Sequence, residues 1–442
     1  MATLRCAAVC LAGPSHVEIR CCHAKQRTPL SVLGIPFTRG YNEEMASQSL
    51  SAIPAEKLKT IPGTTALAII LAGFVTFLNM WCTQAILPVL AKSFHVSEAV
   101  TGYTVTAPLI ATAVMAPLIG MISDRFGRRV FIRSAALLLV LPTILSAFVP
   151  NLSALILCRF IQGLLLPFIF TITIAYISDE MSPPTAMRMV GIYTSGAISG
   201  GFSGRLIVGL ATSVWNWRAG FLVVGAITLG AALMIALFLP REKCFKPTYG
   251  ITSALRSFPN HLSNLPLVGT YVVGFGLLFS IVSVFTFINF RLAAPPYSLG
   301  PAALGLIFVV YLGGVLVSPA TGRLMAVFDR RWLMLGTVAL LLAGLGLTLT
   351  APLYLICLGL LLICLGVFPQ QTLSTGYIGV VARGAKSTAV GLYVTIYYIG
   401  GSFGGILPAF AWHEAGWAGC VAVTGFVQLV MLGFAWKSWT AR

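Results

Sequence analysis

The chain has 442 residues, of which 58% are hydrophobic and 9% charged, and its mean hydropathy is +0.93. A water-soluble globule could not be covered by so little polar surface, so lipid must be the main solvent. The net charge of +17 does not indicate nucleic acid, because the basic residues sit in short runs between apolar spans and not clustered on one face.

Residues 1–60 are polar and proline-containing, with no stretch able to cross a bilayer and no apolar run followed by a small-residue cleavage site. They read as a disordered cytoplasmic leader, and Met45, which opens the ordinary tail MASQSLSAIPAEKLKT, is the expected true start. Apolar spans then follow at 66–90, 101–122, 131–149, 153–177, 187–210 and 218–239. A charged stretch interrupts them, and spans resume at 265–290, 302–327, 332–350, 353–378, 387–411 and 417–436. A hydrocarbon core of about 30 Å takes about 20 apolar residues, so about a dozen crossings fit. The predicted architecture is all-α: a six-helix bundle over 61–240, a cytoplasmic linker over 241–264, and a second six-helix bundle over 265–442.

Charge sets the orientation. With the N-terminus inside, cytoplasmic segments hold eighteen basic residues and the opposite loops and helix ends four, namely Lys92, Arg205, Arg218 and Arg291. Both termini are therefore expected inside. The halves also repeat: Val190, Gly191, Tyr193, Gly200, Gly201, Gly204 and Trp217 recur 200 residues later as Val390, Gly391, Tyr393, Gly400, Gly401, Gly404 and Trp417. Parallel halves of this kind suit alternating access about a midplane site. The ten cysteines form no CxxC pair and no zinc spacing, and no catalytic cluster is visible, so neither metal nor cofactor is expected.

The loop after the second span reads GMISDRFGRR, Gly120 to Arg129, and a degenerate copy, GRLMAVFDRR, falls at 322–331. Gly120 and Gly127 permit a tight turn and close helix approach, and Asp124 can sit against the positive end of a neighbouring helix. This loop resembles the signature between helices two and three of the major facilitator superfamily. The fourth span, LILCRFIQGLLLP, and the fifth, GAISGGFSGR, resemble the family's drug/proton antiporter patterns, although Gly201 replaces a proline and Arg205 a glycine. The stretch from about residue 66 onward, with GGFSGRL, WNWR, FKPT and WHEAGW, is similar to a bacterial inner-membrane branch, the YnfM-like transporters.

The resemblance implies a multi-pass protein of a bacterial inner membrane, monomeric, moving a small-molecule substrate with protons as one candidate coupling ion. It implies a conformational latch in which Gly120, Asp124, Arg125, Gly127, Arg128 and Arg129 take part, Asp124 meeting the eleventh span near Ser387 and Arg128 meeting Asp179 or Glu180. Glycines 196, 200, 201, 204, 400, 401 and 404 (Gly196, Gly200, Gly201, Gly204, Gly400, Gly401, Gly404) would let the two bundles pack tightly. Spans 1, 4, 7 and 10 would line a cavity, which nominates Asn79, Thr83, Gln84, Arg159, Gln162, Asn289, Gln370 and Gln371 for substrate contact. Asn79 and Thr83 would share a helical face, as would Arg159 and Gln162. For each of these, helix-to-helix hydrogen bonding is an equal alternative.

The expected function is secondary active transport of a small organic solute, in the export direction and driven by an ion gradient. A facilitative or uptake permease for organic anions or sugars is the alternative; a membrane enzyme would need a catalytic cluster and a transport-dead receptor would have no use for a latch. All eleven acidic residues fall in tails, loops or helix ends. Arg159 therefore has no midplane acid to pair with, and two expectations follow. Its side chain snorkels outward or bonds to carbonyls, Gln162 and water, or its fork takes an anionic group of the substrate while the solute or a rim acid such as Asp179 carries the proton.

Overall fold

The computed structural model describes residues 62–242, 261–382 and 386–439, and for residues 120–126, 318, 319, 326, 386 and 387 the backbone alone. The leader, the proposed start at Met45 and most of the linker lie outside the described residues. The helices are α1 Gly63–Trp81, α2 Leu87–Phe94, α3 Glu98–Phe126, α4 Arg128–Leu145, α5 Leu152–Glu180, α6 Pro183–Val214 and α7 Trp217–Phe238 in the first half. In the second half they are α8 Leu265–Ala293, α9 Pro301–Ile307, α10 Val310–Val327, α11 Arg330–Leu347, α12 Leu353–Val381 and α13 Lys386–Ser438.

Ten of the described segments are long and apolar enough to cross a membrane. The last holds two crossings, because Ala415 and Gly416 leave helical geometry and Gly416 has φ +56°, a left-handed turn that favours glycine. Helix α4 completes the twelve; Arg128, Arg129 and Arg133 keep it out of the apolar set, yet it packs as a crossing between α5 and α7. Asn151 and Asn216 start α5 and α7 by accepting from the backbone N–H of Ala154 and Ala219, each at 2.9 Å, which satisfies donors a helix start leaves free.

The expected first span is not one helix. Trp81 ends α1, a single 3-10 turn runs from Gln84 to Ile86, and α2 restarts at Leu87. Pro88 supplies one reason: it has no N–H for the Gln84 carbonyl, and its ring would collide with that carbonyl in a continuous helix. Thr83 lies between the two segments, where it and Cys82 keep right-handed helical dihedrals.

The glycines pack helices within each half. A Cβ on Gly196, Gly200 or Gly204 would overlap the carbonyls of Ile70, Phe74 or Leu78 on α1, and one on Gly400 or Gly404 would overlap Phe275 or Phe279 on α8. Gly201 faces Trp81 and Phe77 of its own half. Gly401 presses on Leu278 and also reaches Leu109 across the divide, 3.3 Å from where its Cβ would stand. The described close contacts between halves gather at the end bearing Asn151 and Gly300. There Gly209 meets Pro301, Gly305 meets Arg205 and Leu206, Gly405 meets Thr106, and Ala302 donates its N–H to Ser213 at 3.0 Å.

Candidate functional site

Three of the nominated residues belong to one buried network inside the first half. Arg159, fully buried on α5, donates from Nε to the Thr104 carbonyl (3.1 Å), from Nη1 to the Asn79 carbonyl (2.6 Å) and Gln162 Oε1 (2.5 Å), and from Nη2 to the Met80 carbonyl (2.6 Å). Asn79 and Met80 lie in the last turn of α1, so their carbonyls are among those a helix end leaves without backbone partners. Gln162 donates to Thr143 at 2.9 Å, Thr143 donates to Asn79 Oδ1 at 2.8 Å, and Asn79 donates to Thr228 at 2.9 Å. The network ties α1, α3, α4, α5 and α7 together, and the arginine's fork is turned inward to backbone carbonyls and does not snorkel.

The second half holds a looser set. Gln428 on α13 donates to Ser280 at 2.8 Å and accepts from Gln370 at 3.2 Å. Asn289 donates to the Phe285 carbonyl at 2.6 Å, but its Oδ1 has no hydrogen-bond partner, and neither have Oε1 of Gln370, Oε1 of Gln371 or Oγ1 of Thr83. Buried polar atoms are ordinarily partnered, so these atoms are among those that hold unspent hydrogen-bonding capacity.

Gln84 leads to a residue that sequence reasoning placed at a helix end. Arg205 is 2% exposed, lies nine residues before the end of α6, and donates to Gln84 Oε1 at 2.8 Å and to the Gly201 carbonyl at 2.7 Å. Gln84 in turn reaches Thr286 of the second half at 3.4 Å. The guanidinium carbon stands 5.0, 4.4 and 4.9 Å from the ring centres of Trp81, Phe308 and Tyr311. A signal for it was present in the sequence: Arg205 is inside the apolar span 187–210, which a topogenic charge would avoid.

The latch residues meet within the first half. Gly127 has φ +90°, which lets the chain turn between α3 and α4. Arg128 pairs with Asp179 at 2.5 Å, and Glu180 is the last residue of α5. Arg129 donates its N–H to Glu242 at 2.9 Å and its Nε to the Leu239 carbonyl at 2.6 Å. Glu242 was not anticipated; nothing in its sequence neighbourhood marks it. The second copy is similar: Arg331 donates to the Trp439 carbonyl at 2.5 Å, and Arg330 lies 4.3 Å from the Tyr377 ring centre. The expected contact of Asp124 with Ser387, and the side chain of Arg125 and the surroundings of Gly120, lie outside the described residues.

Residues 69–405 match the family model of the Major Facilitator Superfamily. The chain is 33% identical over 367 residues to the inner membrane transport protein YnfM of Escherichia coli strain K12, covering 83% of this chain and 87% of that one. Its fold is similar to the nucleoside transporter NupG, with a TM-score of 0.71 at 14% identity, covering 85% of this chain and 100% of that one. The inward-open xylose transporter XylE from E. coli gives 0.66 at 16% identity, covering 86% and 95%. These relatives are transporters and not enzymes. With the signature loop anchored through Arg128 and Arg129 and the family match spanning both halves, this chain belongs to the major facilitator superfamily and is a multi-pass membrane transporter.

Proposed function

We propose that the chain is a secondary active exporter that moves a small organic solute by alternating access, as a monomer in a bacterial inner membrane with both termini cytoplasmic. The observation that carries the reading is the seam between the halves. At the Asn151 end it is made of glycines against backbone, Gly209 on Pro301 and Gly305 on Leu206, surfaces that can part without breaking a helix. The opposite end carries Arg128, Arg129, Arg133, Arg330 and Arg331. By the charge rule that end is cytoplasmic, so the closed seam faces outward. Export is supported by likeness of the fourth and fifth spans to antiporters, and gradient drive by the absence of a GxxxxGK[ST] phosphate loop from the sequence. The described acids Glu98, Asp179, Glu180, Glu242, Asp329 and Glu414 sit at helix ends or in loops, so a coupled proton would ride on the solute or on a rim acid such as Asp179.

The test is flux in inverted and right-side-out vesicles against a panel of organic acids, sugars and dyes. Accumulation in inverted vesicles above the outside concentration, only with an imposed proton gradient, is the expected result. Equilibration without a gradient would replace the reading with a facilitative permease, and accumulation only in right-side-out vesicles with an uptake system.

A further inference from the structure

Arg205 is a buried cation for which the surrounding helices supply no counter-charge. Residues 63–97, 183–241, 265–328 and 353–381, which provide every neighbour described for it, contain no Asp or Glu. The described ion pairs, Arg128 with Asp179 and His413 with Glu414, lie elsewhere. Two donors remain unspent on neighbouring side chains. Nη2 of Arg205 has no acceptor, and the hydroxyl of Tyr311, on the ring that stands 4.9 Å from the guanidinium carbon, has no hydrogen-bond partner. The three rings offer their faces to the cation and keep water away from it, which leaves the charge attractive to an anion.

The pseudo-repeat provides an internal control. Two hundred residues after Arg205 stands Gly405, at the matching seam between α13 and α3, where it lies against Thr106. The seam therefore does not need an arginine to close. The contacts of Arg205 are also divided in a telling way. Gln84, Gly201 and Trp81 belong to its own half, whereas Phe308 and Tyr311 belong to the other. Parting the seam would draw Phe308 and Tyr311 back from the guanidinium and open, between the two halves, space for a ligand's anionic group, with Arg205 still held by Gln84 and Gly201.

We propose that Arg205 and Tyr311 form a binding site for the carboxylate group of an organic solute, one donor from each half. A carboxylate has two oxygens to accept from the two donors, carries a single charge to match one guanidinium, and brings an organic body that suits an aromatic surround. A doubly charged, strongly hydrated phosphate fits this dry setting less well. The site rests on the alternating-access reading for its exposure, and it gives that reading a substrate class.

Thermal unfolding of the detergent-purified full chain would be followed with a series of monocarboxylates from acetate to benzoate, with benzyl alcohol as the neutral counterpart and chloride and inorganic phosphate as simple anions. At least one carboxylate should raise the midpoint in a saturable way while benzyl alcohol does not. Arg205→Lys, which keeps the charge but not the fork, should weaken that binding about tenfold or more, and Tyr311→Phe, an isosteric change that preserves the ring, several-fold. No shift from any carboxylate, an equal shift from chloride or phosphate, or unchanged binding in both variants would overturn the proposal. Vesicle flux of the binding carboxylate separates the two readings. Arg205-dependent binding without flux supports the site and removes the transport of that solute, while flux indifferent to both variants removes the site and leaves transport standing.

Discussion

The first and seventh crossings occupy equivalent places and solve the same packing problem with different backbones. On α1, Ile70, Phe74 and Leu78 receive Gly196, Gly200 and Gly204; on α8, Phe275 and Phe279 receive Gly400 and Gly404, a register of 201 residues. Ser280 on α8, the counterpart of Asn79, is bonded to Gln428 just as Asn79 is bonded to Thr228. Yet α8 runs unbroken for 29 residues while α1 stops at Trp81. Two counterparts explain the difference. Asn289 stands where Pro88 does, and retains the N–H that proline lacks; Leu361 stands 202 residues after Arg159, the register that also relates Pro369 to Pro167. The broken helix comes with an arginine to take its carbonyls, and the continuous one has neither break nor arginine. A buried cation can thus be part of the backbone's own hydrogen bonding, without an acid to neutralise it.

The sharpest way to break this comparison is Arg159→Leu, which gives the first half the second half's residue. The carbonyls of Thr104, Asn79 and Met80 and Oε1 of Gln162 would lose their donor in a buried setting. At about 1–3 kcal/mol for each buried group left unsatisfied, the loss should reach roughly 3 kcal/mol or more. Thermal unfolding in detergent should record a large drop, with Arg159→Lys intermediate because an ammonium can keep some of the carbonyls. If Leu is tolerated with a midpoint near that of the parent, the arginine does not hold the break.

The glycine seams test the part of the comparison in which the halves agree. Gly200→Ala and Gly400→Ala should cost alike, about 1–3 kcal/mol, since each puts a methyl group into a carbonyl on the facing helix. Gly191→Ala, with open space around it, should be neutral or stabilising by up to about 1 kcal/mol. Unfolding midpoints of the three variants decide the matter, and a large difference between Gly200→Ala and Gly400→Ala would show that the seams are not equivalent.

The alternation of apolar runs and basic loops made the twelve crossings and their division into halves readable, because lipid forces both features on any helical membrane chain. What periodicity could not give is the direction a face turns. Asn79 and Gln162 share the chemistry of cavity residues, but α4 and α7 present Thr143 and Thr228 to them, and those partners sit 64 and 149 residues from Asn79. Face-sharing held for Arg159 and Gln162, three apart on one unbroken helix and bonded to each other, whereas the end of α1 at Trp81 was not legible, because it depends on Pro88 together with a residue on another helix. Arg205 escaped for a different reason. Charge counting treats every arginine near a span's outer third as topogenic, and although its place inside the apolar span 187–210 pointed to burial, the aromatic surround was not legible because Phe308 and Tyr311 come from the other half.

A smaller effect is expected at the signature loop, where the first half has Asp124 in its sequence and the second has Ala326 at the register of 202. Asp124→Asn removes a charge worth about 0.3–1 kcal/mol if it meets a helix N-terminus. A shift of that size changes the balance of two conformations up to several-fold. Insertion and expression should be near normal while transport is impaired, and unchanged transport kinetics would reject the latch.

The smallest effect concerns how each half anchors the first of the two adjacent arginines that close its loop, Arg128 and Arg330. Arg128 uses a carboxylate, Asp179, whereas Arg330 lies over the Tyr377 ring. The Arg128 and Asp179 side chains are 14% and 35% exposed, so solvent and ions reach the pair and its worth is held to about 1 kcal/mol or less. Tyr377 is 2% exposed, and its contact with Arg330 is shielded by comparison. Ionic strength should therefore separate the two anchors. Between low salt and about 1 M salt, where the screening length shrinks to about 3 Å, the cost of Asp179→Asn should fade toward zero. The cost of Tyr377→Leu should persist, since it combines a cation–π contact with lost core packing. Unfolding midpoints of both variants across a salt series measure this directly. If Asp179→Asn loses as much at high salt as at low, the pair is held by hydrogen-bond geometry and not by charge, and the two anchors are more alike than their chemistry suggests.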